Sequence, residues 1–105
     1  MRYMLQVSYT AEGARGVLRE GGSSRRALVE QITGSLGGSL EAFYFALGDE
    51  DAVVIVDLPD NATVAAVSMA VGASGAASIK TTVLLTPAEI DEAGKKSVGY
   101  RAPGA

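Results

Sequence analysis

Two apolar runs, Ala42 to Leu47 and Val53 to Val56, flank the polar cluster Gly48-Asp49-Glu50-Asp51. A link this short joins antiparallel strands, because parallel neighbours need a crossover of a dozen or more residues. The runs therefore read as one hairpin, with strands over Ser39 to Leu47 and Ala52 to Leu58, the second dense in β-branched residues. Val53 to Val56 is apolar at every position, and Ala42 to Leu47 is apolar but for one tyrosine hydroxyl. A strand with one face in water should alternate more cleanly, so both faces of this hairpin call for cover.

Arg2 to Tyr9 does alternate, with Tyr3, Leu5, Val7 and Tyr9 on one side and Met4, Gln6 and Ser8 on the other. Thr10 is placed to cap a helix over Ala11 to Glu20, which Gly13 and Gly16 weaken by up to about 1 kcal/mol each relative to Ala. Gly21-Gly22-Ser23-Ser24 breaks or bends it, and Ser23 or Ser24 suits the cap of a second piece. There Leu28, Ile32 and Leu36 recur every four residues, a stripe expected to lie on the sheet, until Gly37-Gly38 stops it.

Asn61 is read as the cap of an Ala-rich helix from Ala62 to about Ser74, closed by Gly75. A last strand follows over Ser78 to Leu85, with Ile79, Thr81, Val83 and Leu85 on one face. Thr86-Pro87-Ala88-Glu89 has the form of a capping box opening a short helix to about Lys96, and residues 98–105 read as an extended tail.

The order strand–helix–strand–strand–helix–strand fits an α+β domain spanning residues 1–105, with a four-stranded antiparallel sheet. Right-handed crossovers put both main helices on one face. The other face then needs cover from the C-terminal helix and tail or from a second subunit paired across a two-fold axis.

Composition narrows the chemistry. The 105 residues include no Cys and no His, which removes disulfides, thiolate catalysis, the usual transition-metal ligands and the commonest general base near neutral pH. No cofactor is implied. A net charge of −3 disfavours a nucleic-acid partner. No apolar run reaches the roughly 18 residues of a membrane span, and the first residues read as a strand rather than a secretory segment, so a cytoplasmic location is expected.

Four groups of residues invite functional readings. Arg15, Arg19, Arg25 and Arg26 surround the Gly-Gly-Ser-Ser break, where helix-start N–H groups and the Arg25 and Arg26 guanidinium groups suit a carboxylate or phosphate. The same arginines suit ion pairs with Glu12, Glu20 and Glu30, with Arg26 and Glu30 at good helical spacing. Asp49, Glu50, Asp51, Asp57 and Asp60 lack the ligand spacing of a calcium loop, and turn chemistry accounts for the first three. Tyr3, Tyr9, Phe43, Tyr44, Phe45 and Tyr100 lack the basic context of an RNA-stacking surface and read as packing. Gln6, Ser8, Lys80 and Thr82, with Glu41 depending on register, form a polar set on the face away from the helices. They suit either interface hydrogen bonds or a site in which Lys80 and Gln6 orient a carbonyl or enolate while a Tyr or Glu moves protons.

Several blocks also resemble a known family. Glu41-Ala42-Phe43-Tyr44-Phe45-Ala46-Leu47-Gly48-Asp49, followed by Val53-Val54-Ile55-Val56-Asp57-Leu58-Pro59-Asp60, is similar to the centre of the GYD-domain proteins. Lys80-Thr81-Thr82-Val83-Leu84-Leu85-Thr86-Pro87 resembles their last strand, and Ser8-Tyr9-Thr10 with Gly13 resembles the end of their first strand and the following helix start. Glu50 stands where the family's naming Gly-Tyr-Asp element would carry Tyr. The resemblance implies a ferredoxin-like fold related to dimeric α+β barrel proteins, and no particular activity. Two functions are therefore compared: a homodimeric binding or interaction module, and a cofactor-independent monooxygenase- or isomerase-like enzyme using Tyr9, Tyr44 or Lys80 on a small organic substrate.

Overall fold

Strand β1 (Arg2–Tyr9) opens the chain and is followed by α1 (Ala11–Glu20), α2 (Gly22–Ser35), β2 (Ser39–Phe45), β3 (Ala52–Asp57), α3 (Asn61–Ala73), β4 (Ala77–Leu84) and α4 (Pro87–Gly94). The structure is a computed structural model that describes residues 1–105. The strands form one antiparallel sheet in the order β2-β3-β1-β4, a ferredoxin-like βαββαβ arrangement with a C-terminal helix added. No helix is long and apolar enough to cross a membrane.

The core lies on one face of the sheet. Tyr3 and Leu5 from β1, Val54 and Val56 from β3, and Leu58 just beyond it pack against Val64 of α3, with Val29 of α2 alongside. Burial alternates along β3, where Ala52, Val54 and Val56 are enclosed while Val53, Ile55 and Asp57 are half-buried on the other side. The Tyr3 hydroxyl donates to Asn61 Oδ1 at 2.7 Å, so the buried phenol ties the start of β1 to the first turn of α3. Burial, with Asp60 and Asp57 nearby, pushes that phenol above its usual range.

Local chemistry sets the helix ends. The Thr10 hydroxyl accepts from Gly13 N–H, and Thr86 and Glu89 complete the capping box of α4. Two expected caps are corrected. Asp60 caps α3, its carboxylate accepting from Thr63 N–H at 2.8 Å and from the Thr63 hydroxyl at 2.7 Å, while Asn61 serves Tyr3 instead. Neither Ser23 nor Ser24 caps α2. That helix starts directly after Gly21, whose φ of 89° swings the chain from one helix into the next.

Gly13 is required by packing more than it is tolerated by propensity. A Cβ there would lie 1.9 Å from the carbonyl oxygen of Ala76, so only glycine lets α1 approach the start of β4. Thr10 strengthens the same clasp, its N–H donating to Ala76 O at 2.9 Å and its hydroxyl to Gly75 O at 2.9 Å.

The C-terminal helix does not cover the bare sheet face. β4 ends at Leu84, one residue short of the expected end, and every residue from Pro87 to Ala105 is exposed. The radius of gyration is 16.9 Å, against about 13 Å for a compact domain of 100 residues, because this arm projects.

Two outcomes follow. Gly13→Ala lowers the urea midpoint although Ala is the better helix former, and an unchanged or raised midpoint would contradict the clasp. The Thr63 side-chain and backbone hydrogen bonds hold the Asp60 carboxyl below its usual value of 3.8. Its contribution is thus present above the unfolded value and lost as pH falls through the lower, folded one. Asp60→Ala therefore destabilises at pH 7, and its deficit against the parent shrinks in melts run below pH 3.8.

Candidate functional site

Helix α2 turns Arg25, Val29, Ile32 and Thr33 toward the sheet. The expected stripe of Leu28, Ile32 and Leu36 is corrected, since Leu28 and Leu36 stay 39% and 37% exposed. Thr33 takes the buried position without an unpaired hydroxyl, because its O–H donates to Val29 O or Glu30 O within its own helix. The smaller inward side chains leave space between helices and sheet. Val67 and Val71 of α3, with Val7, Val54 and Ile79 of the sheet, close around a cavity of about 70 Å³.

A wider groove of about 400 Å³ runs outside it, between α1 and α3, and is floored by small residues such as Gly13, Gly16 and Ala70. Tyr9, Arg25, Val71 and Ala77 line both spaces, so the apolar cavity and the polar groove meet at these four side chains.

The clasp that admits α1 also places Tyr9. Its N–H donates to Asp51 Oδ2 at 2.7 Å, which ends the ladder of β1, while Asp51 N–H donates back to Val7 O at 2.8 Å. Asp51 thus serves the backbone, and no group of three or more His, Cys, Asp or Glu side chains is placed to hold a metal ion. The Tyr9 hydroxyl and the Arg25 guanidinium make no hydrogen bond within the chain, though both side chains are half-buried. Arg26 points outward instead and pairs with Glu30, so the two neighbouring arginines do not converge on one anion. Gly22 and Ser23, the first residues of α2, line a separate open depression with Arg26, Phe43 and Phe45.

The open face is arranged in rows across the strands. Arg2 and Asp57 lie in one row with Leu84, Met4 and Ile55 in the next with Ala42 and Thr82, and Gln6 and Val53 in the third with Tyr44 and Lys80. Ser8 lies opposite Ser78 beyond them. The register thus brings Gln6, Ser8, Lys80 and Thr82 onto neighbouring strands of one face, with Gln6 directly opposite Lys80.

Gln6 Nε2 donates to Glu50 Oε1 at 3.1 Å. A bulge between Leu40 and Ala42 frees Glu41 to accept from Arg2 Nε at 2.8 Å, which raises the Arg2 pKa. Tyr44 shares this face but sits on the opposite edge strand from Lys80, three strand spacings or about 14 Å away. Tyr9 is on the other face altogether. The three candidates for acid–base work are therefore not gathered in one place.

A family model for the GYD domain matches residues 3–93. The chain belongs to the GYD-domain family. No curated protein and no solved structure matches it. In this GYD-domain protein the Ser8-Tyr9-Thr10 and Gly13 block forms the clasp at the groove, and the hairpin block supplies both the sheet edge and the loop that meets the end of β1. Glu50, in the place of the expected Tyr, holds Gln6 on the open face.

In the sequence Tyr9 and Arg25 stand out as separate candidates, and nothing there singles out Val67, Val71 and Ala77. The available signal was the small-residue character of α1 and α3, which leaves a groove wherever two helices meet without large side chains between them.

An unpaired, half-buried guanidinium costs stability, because it gives up water without gaining a carboxylate. Arg25→Met keeps the apolar stem and removes that cost, so it raises unfolding stability by about 1 kcal/mol. A clear loss of stability in urea titration would show that Arg25 is a structural group instead.

Proposed function

We propose that this GYD-domain protein works as a homodimeric binding module, in which two copies pair through their open sheet faces and each keeps the cleft under its helices for a small ligand. One observation carries the reading. Met4, Ile55, Ala42 and Val53 form an apolar centre on a sheet face that no helix of the chain covers.

Charge and area favour a second copy as the cover. The face carries Arg2, Lys80 and the N-terminal ammonium against Glu41, Glu50 and Asp57, three charges of each sign, so identical faces do not repel through net charge. Four strands at about 4.8 Å and eight residues at about 3.4 Å give a flat area near 500 Å² per copy. Two such faces bury about 1,000 Å², at the lower bound for a specific interface. The projecting arm, with Leu85, Ile90, Val98 and Tyr100 exposed, supplies further apolar surface for the partner. The enzyme reading has less support, because Tyr9, Tyr44 and Lys80 are divided between two faces and two edges, and the fold alone hosts many chemistries.

Sedimentation at micromolar concentration is expected to give a species of twice the 10.7 kDa chain mass. Ile55→Lys, which puts an unpaired charge at the centre of the face, shifts it to the single-chain mass with the fold retained by circular dichroism. A parent protein that sediments only at 10.7 kDa contradicts the pairing.

A further inference from the structure

We infer that the cleft at Tyr9 and Arg25 binds a small organic carboxylate with an apolar body, its carboxylate on the Arg25 guanidinium and the Tyr9 hydroxyl and its body in the cavity under α2 and α3. This rests on reading the chain as a binding module and is independent of how the copies pair.

Three observations define the ligand. The inner cavity of about 70 Å³ is walled by Val7, Val29, Val54, Val67 and Ile79, with room for about five water-sized groups and little polar surface to hold water there. Its occupant is therefore apolar and short. At the boundary with the groove stand two half-buried residues, Tyr9 and Arg25, whose hydroxyl and guanidinium have no hydrogen-bond or ion-pair partner within the chain. A guanidinium binds a carboxylate through two parallel hydrogen bonds, and a phenol adds a third donor.

The remaining charges of the groove settle the anion. Arg19, Glu12 and Glu20 line its outer part, and none of the arginines there has a carboxylate within 4.0 Å. With Arg25 included the groove holds two positive and two negative groups. A monoanion gains from Arg25 at this balance. A phosphate monoester, nearly doubly charged, meets two acidic side chains at the rim and too few donors inside. Long chains are disfavoured as well, because the cavity is small and the packed core residues Val56 and Leu58 are among its walls.

The test is an NMR titration of the intact chain with hexanoate, hexanol and hexyl phosphate, with the sedimenting mass measured on the same samples. Hexanoate is expected to bind below millimolar concentration, at least about tenfold more tightly than hexanol, with amide shifts centred on Tyr9, Arg25, Val29 and Val71. Arg25→Met removes the preference for hexanoate over hexanol without changing the fold seen in the amide spectrum. Tyr9→Phe weakens hexanoate about threefold. Equal binding of hexanoate and hexanol, tighter binding of hexyl phosphate, hexanoate binding unaltered in Arg25→Met, or shifts confined to another surface would each overturn the assignment. A single-chain species that binds hexanoate as described supports this site while contradicting the pairing. A dimer that does not bind hexanoate contradicts this site alone.

Discussion

The apolar character of β3 on both faces is the constraint from which the rest of the structure follows. Val54 and Val56 face the helices, Val53 and Ile55 face away, and β3 lies in the middle of the sheet beside β1. A central strand buried on both sides is ordinary in a sheet with helices above and below. Here Val29 of α2 and Val64 of α3 both pack on the core face, as right-handed crossovers would place them, and no helix is left for the second apolar face. α4 does not supply it, since the chain leaves the sheet at Leu84 and carries the helix away from it.

The helix side is loosely filled for a related reason. α2 presents valine, isoleucine and threonine to the sheet rather than its leucines, and α1 stands aside on a glycine contact with the β4 start. Large side chains would have closed the gap between the three helices. The chain instead leaves a cavity whose outer boundary holds an arginine and a tyrosine that gain nothing from each other's neighbours. Neither has a partner within the chain, and the proposed ligand site rests on this pair.

Much of the architecture was legible in the sequence because it depends on local chemistry. The period-two alternation of β1, the short polar link of the hairpin and the Thr10 and Thr86 caps are all decided within a few residues, and each is found where expected. The misreadings share one cause, a choice settled by a distant partner. Asp60 and Asn61 are equally good caps, and the decision falls to Tyr3, 58 residues away, which takes the asparagine oxygen. Leu28 and Leu36 make a better apolar stripe than Arg25, Val29 and Thr33, yet the rotation of α2 is fixed by what it meets on β2 and α1. The open-face row of Gln6 and Lys80 was foreseen as a shared face, but their direct opposition depended on a register that spacing alone does not give.

The claim that a second copy covers the open face is tested most directly by isotope-filtered NMR on an equal mixture of labelled and unlabelled chains. Met4, Val53 and Ile55 are expected to show intermolecular methyl contacts, while Val54 and Val56 on the helix side show none. Intermolecular contacts confined to α4 and the tail, or none at all at micromolar to millimolar concentration, would contradict the account.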